Sequence, residues 1–315
     1  MKAVRFHEFG DADVLRYEDA EQPAPGAGEA LIRVAGTSFN PVDDGIRGGY
    51  LRDVFPVTLP HVPGIDVAGT VEALGAGVTN VAVGDQVVGF LPMTADGASA
   101  EYVVAPAENL APAPKSIPLA DAAAFPMVAL TARQALLEDA VVEAGQRVLI
   151  NGAGGAVGGY AVQLAKRAGA YVIATASPSS AERVRAAGAD EVVDHTAAEV
   201  TAAVTEPVDA VLNLARVAPE ELAALATLVR DGGVVANTVP TIPTPSDDAR
   251  GVRAAGVFVR SDAERLAELS ALVDAGELRV EVTERVPLAE LPALHARAAA
   301  GELAGGKVVV VPTAS

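Results

Sequence analysis

A short aliphatic run, Arg147-Val148-Leu149-Ile150-Asn151, passes through Gly152-Ala153-Gly154-Gly155-Ala156-Val157-Gly158 into a stretch with apolar residues at Ala161, Leu164, Ala165 and Ala168. This is the pattern of a strand, a tight turn and a helix. Four of the seven turn residues are glycine, so the backbone can approach a bulky anion closely. The free N–H groups at the helix start, aided by the helix dipole, offer that anion a site. The natural ligand of such a turn is a dinucleotide. The strict spacing Gly-x-Gly-x-x-Gly is absent, because Val157 stands where the third glycine would fall. Gly152, Gly155 and Gly158 follow one another at equal intervals instead. Glycine clusters also mark ordinary turns. The second apolar run, Tyr171 to Thr175, follows at the distance a βαβ unit requires and favours the nucleotide reading over a turn with no ligand. The contacts expected there are Gly152, Gly155, Ala156, Val157 and Gly158.

Around this unit, strands and helices alternate from about residue 120 to 260. The strand candidates are Arg147 to Asn151, Tyr171 to Thr175, Glu191 to Asp194, Ala210 to Asn213, Val234 to Asn237 and Val257 to Arg260. Alanine-rich helices such as Ser180 to Ala187 and Pro219 to Val229 lie between them, with Gly188 and Gly232 as stops. Six parallel strands with crossover helices make a doubly wound α/β sheet. Residues 1 to about 115 are β-rich and punctuated by Gly, Pro and Asp, with candidates at Ala3 to Phe6, Ala30 to Ala35, Val67 to Leu74 and Gln86 to Phe90. Ala120 to Leu137 has helical spacing, and a final strand, Lys307 to Val311, needs a partner that the β-rich segment can supply. The expected organisation is a discontinuous domain of residues 1–118 and 261–315 with a nucleotide-binding domain, 119–260, inserted into it.

A chain of 315 residues suggests two domains. A formal charge of −18 argues against nucleic acid or an anionic membrane surface as partner. With no cysteine, thiol nucleophiles, disulfides and Cys-ligated zinc are excluded. The start of the chain lacks a signal-peptide apolar core and no run is long and apolar enough to span a bilayer, so a cytoplasmic location is expected.

Further segments carry a resemblance that covers essentially the whole chain: Phe39-Asn40-Pro41-Val42-Asp43, Pro63-Gly64-Ile65-Asp66-Val67-Ala68-Gly69, Val83-Gly84-Asp85, Ala100-Glu101-Tyr102-Val103, Leu130-Thr131-Ala132 and Gly306-Lys307-Val308-Val309. Together with the equally spaced glycines they resemble the zinc-free, zeta-crystallin-like quinone oxidoreductases of the medium-chain dehydrogenase/reductase superfamily. The resemblance implies a doubly wound parallel Rossmann sheet plus a β-rich GroES-like catalytic domain. It also implies an absence, because zinc enzymes of the superfamily carry Gly-His-Glu where this chain has Gly64-Ile65-Asp66. Ile65 has no ligand atom, and His7, His61, His195 and His295 have no metal-ligand spacing.

The end of the second strand is where a carboxylate would bond the ribose hydroxyls of NADH. Here it reads Ala174-Thr175-Ala176-Ser177-Pro178-Ser179-Ser180, with no carboxylate before Glu182. Ser177, Ser179 and Arg183 can instead surround a 2′-phosphate, which points to NADPH over NADH. The alternative is that the serines cap the next helix and Arg183 is a surface charge. The resemblance also implies nucleotide contacts from Thr131, Asn213, Asn237, Phe258 and Val259, with a turn cap as the alternative for Asn213. Hydride transfer requires positioning and stabilisation of charge on the accepting oxygen, and Asn40 is the candidate donor, with a turn at Asn40-Pro41 as the alternative. Tyr50, in Gly48-Gly49-Tyr50-Leu51, is the candidate proton source. Asp43 and Arg47 suit a helix cap and a surface residue. The implied activity is NADPH-dependent reduction of quinones or α,β-unsaturated carbonyls without zinc. An enoyl-thioester reductase and a non-catalytic NADPH-binding sensor are the alternatives. Specificity is expected from the loops around Tyr50, Met93-Thr94 and Pro240 to Gly251. The apolar edge segment Val257-Phe258-Val259 suggests a homodimer.

Overall fold

The computed structural model describes residues 1–303 and 305–312. The chain forms two compact units, Met1–Met127 with Ser261–Ser315, and Val128–Arg260. Residues 119–127, expected in the nucleotide-binding segment, fall in the first unit. They form a 3-10 helix, Leu119–Ala124, packed on the β-sheet of that unit, and the start of a helix at Pro126. The single helix expected over Ala120 to Leu137 is therefore broken. Pro126 supplies the helical break, and the chain after Arg133 continues as one π-helical turn, Gln134–Asp139.

In the first unit, strands β1 (Lys2–Phe6), β2 (Leu15–Asp19), β3 (Glu29–Ser38), β4 (Asp66–Leu74), β5 (Gln86–Phe90), β6 (Tyr102–Pro106) and β7 (Leu110–Pro112) come early. Strands β8 (Arg147–Asn151), β9 (Tyr171–Ala176), β10 (Glu191–Asp194), β11 (Val208–Asn213), β12 (Val229–Asn237) and β13 (Arg253–Gly256) belong to the second unit. The chain then returns to the first unit through β14 (Val282–Pro287) and β15 (Lys307–Val311). Helices are α1 (Pro41–Arg47), α2 (Pro126–Arg133), α3 (Ala156–Arg167), α4 (Pro178–Ala186), α5 (Val200–Ala203), α6 (Pro219–Ala226), α7 (Ala263–Asp274) and α8 (Leu291–Ala299).

The first unit's large sheet has the order β14-β15-β3-β4-β5-β7, with β6 also paired to β3. β15 joins β3 antiparallel through Val309 with Ser38 and Val310 with Thr37, so the last strand lies beside the segment that leads into Asn40. The second unit's sheet is wholly parallel with the order β10-β9-β8-β11-β12-β13. The order reverses between β8 and β11, and ligands of such sheets sit at the carboxyl ends of the strands near that switch. Its core is the near-continuous aliphatic content that a doubly covered parallel strand requires, including Leu149, Ile173, Val211 and Val235.

Two local expectations need correction. The last strand of this sheet is Arg253–Gly256; Val257 still donates its N–H to the Asn237 carbonyl (2.8 Å), and residues 258–260 follow outside any strand. Gly232 is not a helix stop: it lies within β12 in a left-handed conformation (φ 77°), where the register to β11 shifts. Among the described residues no helix is long and apolar enough to cross a membrane.

Candidate functional site

In the second unit the glycine turn links β8 to α3. Gly152 has φ 88°, a left-handed conformation in which a side chain is strained. At Gly158 a Cβ would come within 2.6 Å of three backbone atoms of Ala153, so only glycine lets the helix pack on the turn. Gly155 differs from both. Its φ is −82°, and a Cβ there would meet only the Gly152 carbonyl, at an ordinary 3.4 Å. The protein's own packing does not need glycine at 155, so the space over it is left open. Gly155 is the N-cap and has no side chain to cap the helix. The first N–H groups of α3, at Ala156 and Val157, thus have no intrahelical acceptor, the arrangement that suits an anion.

At the end of β9, Ser177 is the N-cap of α4, and its hydroxyl lies 2.9 Å from that of Ser179 and 3.3 Å from that of Ser180. Arg183 reaches from α4 to the Gly154 carbonyl, so the guanidinium sits against the glycine turn. Glu182 and His195 are exposed, the latter in the loop beyond β10. The serines and Arg183 thus share one edge of the turn.

The strand ends carry a feature that was not anticipated. The Gly152 N–H donates to Thr175 Oγ1 (2.8 Å), and the Thr175 hydroxyl donates to Asn151 Oδ1 (2.9 Å). Asn151 Nδ2 donates to Asn213 Oδ1 (2.9 Å), and Asn213 Nδ2 to Asn237 Oδ1 (2.9 Å) and to the Ala215 carbonyl (3.0 Å). Asn237 Nδ2 ends the series on the carbonyls of Val239 (3.0 Å) and Ile242 (2.9 Å). All four side chains are buried. Asn213 and Asn237 therefore use their amides on one another and on the backbone. The signal was in the sequence: strands β8, β11 and β12 each end in asparagine. Thr131 is buried in α2, whereas Phe258 is exposed and Val259 half-buried.

In the first unit, Asn40 is the buried N-cap of α1. Its Nδ2 donates to Asp66 Oδ2 (2.8 Å) and the Ser38 carbonyl (3.3 Å), and its Oδ1 accepts from Lys307 Nζ (2.7 Å). No N–H of that amide is left for an accepting oxygen. Lys307 Nζ also donates to the Phe39 carbonyl (3.0 Å) and to Asp66 Oδ2 (3.3 Å). The other Asp66 oxygen accepts the Met127 N–H (2.8 Å), and Ser38 Oγ adds a 2.6 Å bond to Oδ2. Burial lowers the Lys307 ammonium from its ordinary value, opposed by the Asp66 charge and hydrogen bond. A single lysine opening the run Lys-Val-Val-Val-Val was the sequence's sign of a buried counter-charge.

Asp43 caps the same helix, accepting the N–H groups of Asn40 (2.9 Å) and Gly64 (3.2 Å). Burial pushes its carboxyl up to about 6. It lines a cavity of about 10 Å³, room for one water, together with His61, Gly64, Ile65 and Met93. Burial lowers the His61 imidazole, opposed by Asp96, whose carboxylate is 3.4 Å away. Arg47 is buried, not a surface residue; it donates to the Gly10 carbonyl (2.6 Å) and Asp44 (3.0 Å). Tyr50, 83% exposed, stands in solvent.

Two family models match the chain, an alcohol dehydrogenase GroES-like domain over residues 26–115 and a zinc-binding dehydrogenase over residues 187–310. The chloroplast envelope quinone oxidoreductase homolog of Arabidopsis thaliana is 32% identical over 99% of this chain and 98% of its own length. The chain belongs to the quinone oxidoreductase family of medium-chain dehydrogenases/reductases. It is an oxidoreductase with this family's GroES-like and Rossmann parts. A quinone-oxidoreductase homolog of Spinacia oleracea is 40% identical over a shorter stretch, 66% of this chain and 64% of that one. The quinone oxidoreductase of Coxiella burnetii has the same fold, with a TM-score of 0.88 at 30% identity over 99% of both chains. The mycobacterial protein Rv1454c, solved in complex with NADPH, gives 0.84 at 32% identity over 99% of this chain and 100% of its own.

Proposed function

We propose that the protein is an NADPH-dependent reductase of quinones or of the double bond in α,β-unsaturated carbonyls, working without zinc. The observation that carries the cofactor reading is the turn: Gly155 leaves a space the protein does not fill, and beside it Ser177, Ser179 and Arg183 form an edge with no carboxylate among them. NADPH, when bound, supplies the hydride. The residues of this chain bind and orient it: the N–H groups of Ala156 and Val157 suit the pyrophosphate, and Arg183 with the serines suits the 2′-phosphate. Thr131, Phe258 and Val259 are the proposed contacts of the nicotinamide half. The related mycobacterial protein solved with NADPH supports the choice of cofactor.

A zinc-free site rests on the donor set. The chain has no cysteine, and Ile65 offers no ligand atom. The buried cation of the Asn40 cluster is the Lys307 ammonium, and with both protons of its amide engaged Asn40 does not donate to an oxyanion. The β13 edge and the exposed Phe258 beyond it support a homodimer.

Stopped-flow oxidation of NADPH mixed with a panel of quinones, enones and enoyl thioesters tests the reading. Acceptor-dependent oxidation by quinones or enones, with NADH poorer than NADPH, is the expected result. Tight NADPH binding with no acceptor-dependent oxidation would make the chain a sensor, and preference for thioesters would make it an enoyl reductase.

A further inference from the structure

The hydrogen bonds from Gly152 to Ile242 all run in one direction. Each buried amide turns its carbonyl toward the glycine turn and its NH₂ away from it. Asn213 makes three of these bonds, and inverting its amide would break all of them. Such a series polarises its members in turn and is fixed as a unit. Its donor end is the N–H of Gly152, the residue whose left-handed backbone begins the turn. The carbonyl of Asn151 is held too, accepting the Leu214 N–H at 2.9 Å. The peptide entering the turn is therefore pinned from the strand side by Thr175 and from the β11 side by Leu214.

We propose that Thr175, Asn151, Asn213 and Asn237 are positioning residues that hold the glycine turn in its nucleotide-binding shape from across four strands. Asn213 and Asn237 then influence nucleotide affinity through the turn and not by touching the ligand, since their amides are buried and already bonded. The inference rests on the nucleotide reading of the turn. Its physical basis is preorganisation: a turn already ordered has less freedom to lose when the ligand binds.

The experiment is calorimetric titration of NADPH and of adenosine 2′,5′-bisphosphate, which lacks the nicotinamide half, into the wild type and the variants Thr175→Val, Thr175→Ser, Asn213→Leu and Thr175→Val/Asn213→Leu. Loss of one such bond is worth roughly tenfold. Thr175→Val and Asn213→Leu should each weaken both ligands about tenfold, Thr175→Ser should bind within about twofold of wild type, and the double variant should be little worse than the poorer single one. Asn213→Leu that weakens NADPH but leaves the bisphosphate unchanged would overturn the proposal, because only a direct contact with the missing half does that. Thr175→Val that lowers the melting temperature yet binds both ligands as the wild type does would overturn it also. If Asn213→Leu does not fold, the two Thr175 variants decide. A wild type that binds neither ligand removes the nucleotide reading itself, and the proposal with it.

Discussion

The two units solve the same problem, polar side chains buried at strand ends, in opposite ways. The first unit buries charge: Lys307, Asp66 and Asn40 form a cluster in which all three lysine protons are bonded and Asp66 accepts four donors. The second unit buries only neutral groups, a threonine and three asparagines in series. Buried charge carries a large desolvation cost that close partners must offset, and removing one partner exposes that cost in full. A neutral ladder costs less to bury and loses less when cut. The first arrangement is a firm lock with pH-sensitive neighbours. The second is a milder device that orders a turn.

The largest test of this contrast is Lys307→Met. It leaves the Asp66 carboxylate buried without its cation, and unfolding in urea should show a loss of about 3–5 kcal/mol. Asn213→Leu, which cuts the neutral ladder, should lose about 1–3 kcal/mol in the same measurement. Equal losses would erase the distinction. Next in size is Arg183→Glu at the edge of the glycine turn, which puts a carboxylate where the 2′-phosphate is proposed. The ratio of kcat/KM for NADPH over NADH should fall at least tenfold, and an unchanged ratio would remove Arg183 from cofactor choice.

The smallest effect concerns pH. The folded value of Asp43, about 6, lies above the ordinary aspartate value of 3.8. The folded chain therefore holds this proton more tightly than the unfolded one. The cost of the buried charge is fully present above about pH 6 and is relieved as pH falls from 6 toward 4. Melting curves between pH 7.5 and 5 should show the wild type gaining on Asp43→Asn as the medium is acidified, with no such trend for the wild type against Thr175→Val. A flat difference for Asp43→Asn would mean that the carboxyl titrates near its ordinary value.

Much of the fold was legible because it rests on short-range pattern. Gln86–Phe90, Arg147–Asn151 and Lys307–Val311 have the bounds that apolar content and turn residues suggest. The errors have local causes. Val257-Phe258-Val259 has more strand character than Arg253-Ala254-Ala255-Gly256, yet the latter pairs with β12, because position in the sheet outweighs intrinsic preference. Gly232 carries the signal of a stop, a glycine after a helical pattern, but it sits in an irregular strand. At the site, Ser177 and Arg183 fall by the glycine turn as strand-end logic requires. The direction of a side chain was not legible. Asn40 and Asn213 turn inward and Arg47 is buried, because their partners, Lys307, Asn237 and Gly10, lie 24 to 267 positions away in the chain.

That separation bears on the order in which the protein can be assembled. Asn40 and Asp66 are made early, but the ammonium that completes their cluster arrives with the last strand, 267 and 241 positions later. A chain emerging from the ribosome therefore carries the Asp66 carboxylate uncompensated while all of Val128–Arg260 is synthesised. The second unit, drawn from one continuous segment, has its strands in hand sooner. The first unit closes last: a nascent chain stopped before Lys307 would hold all six strands of the parallel sheet but would lack the strand that joins β14 to β3.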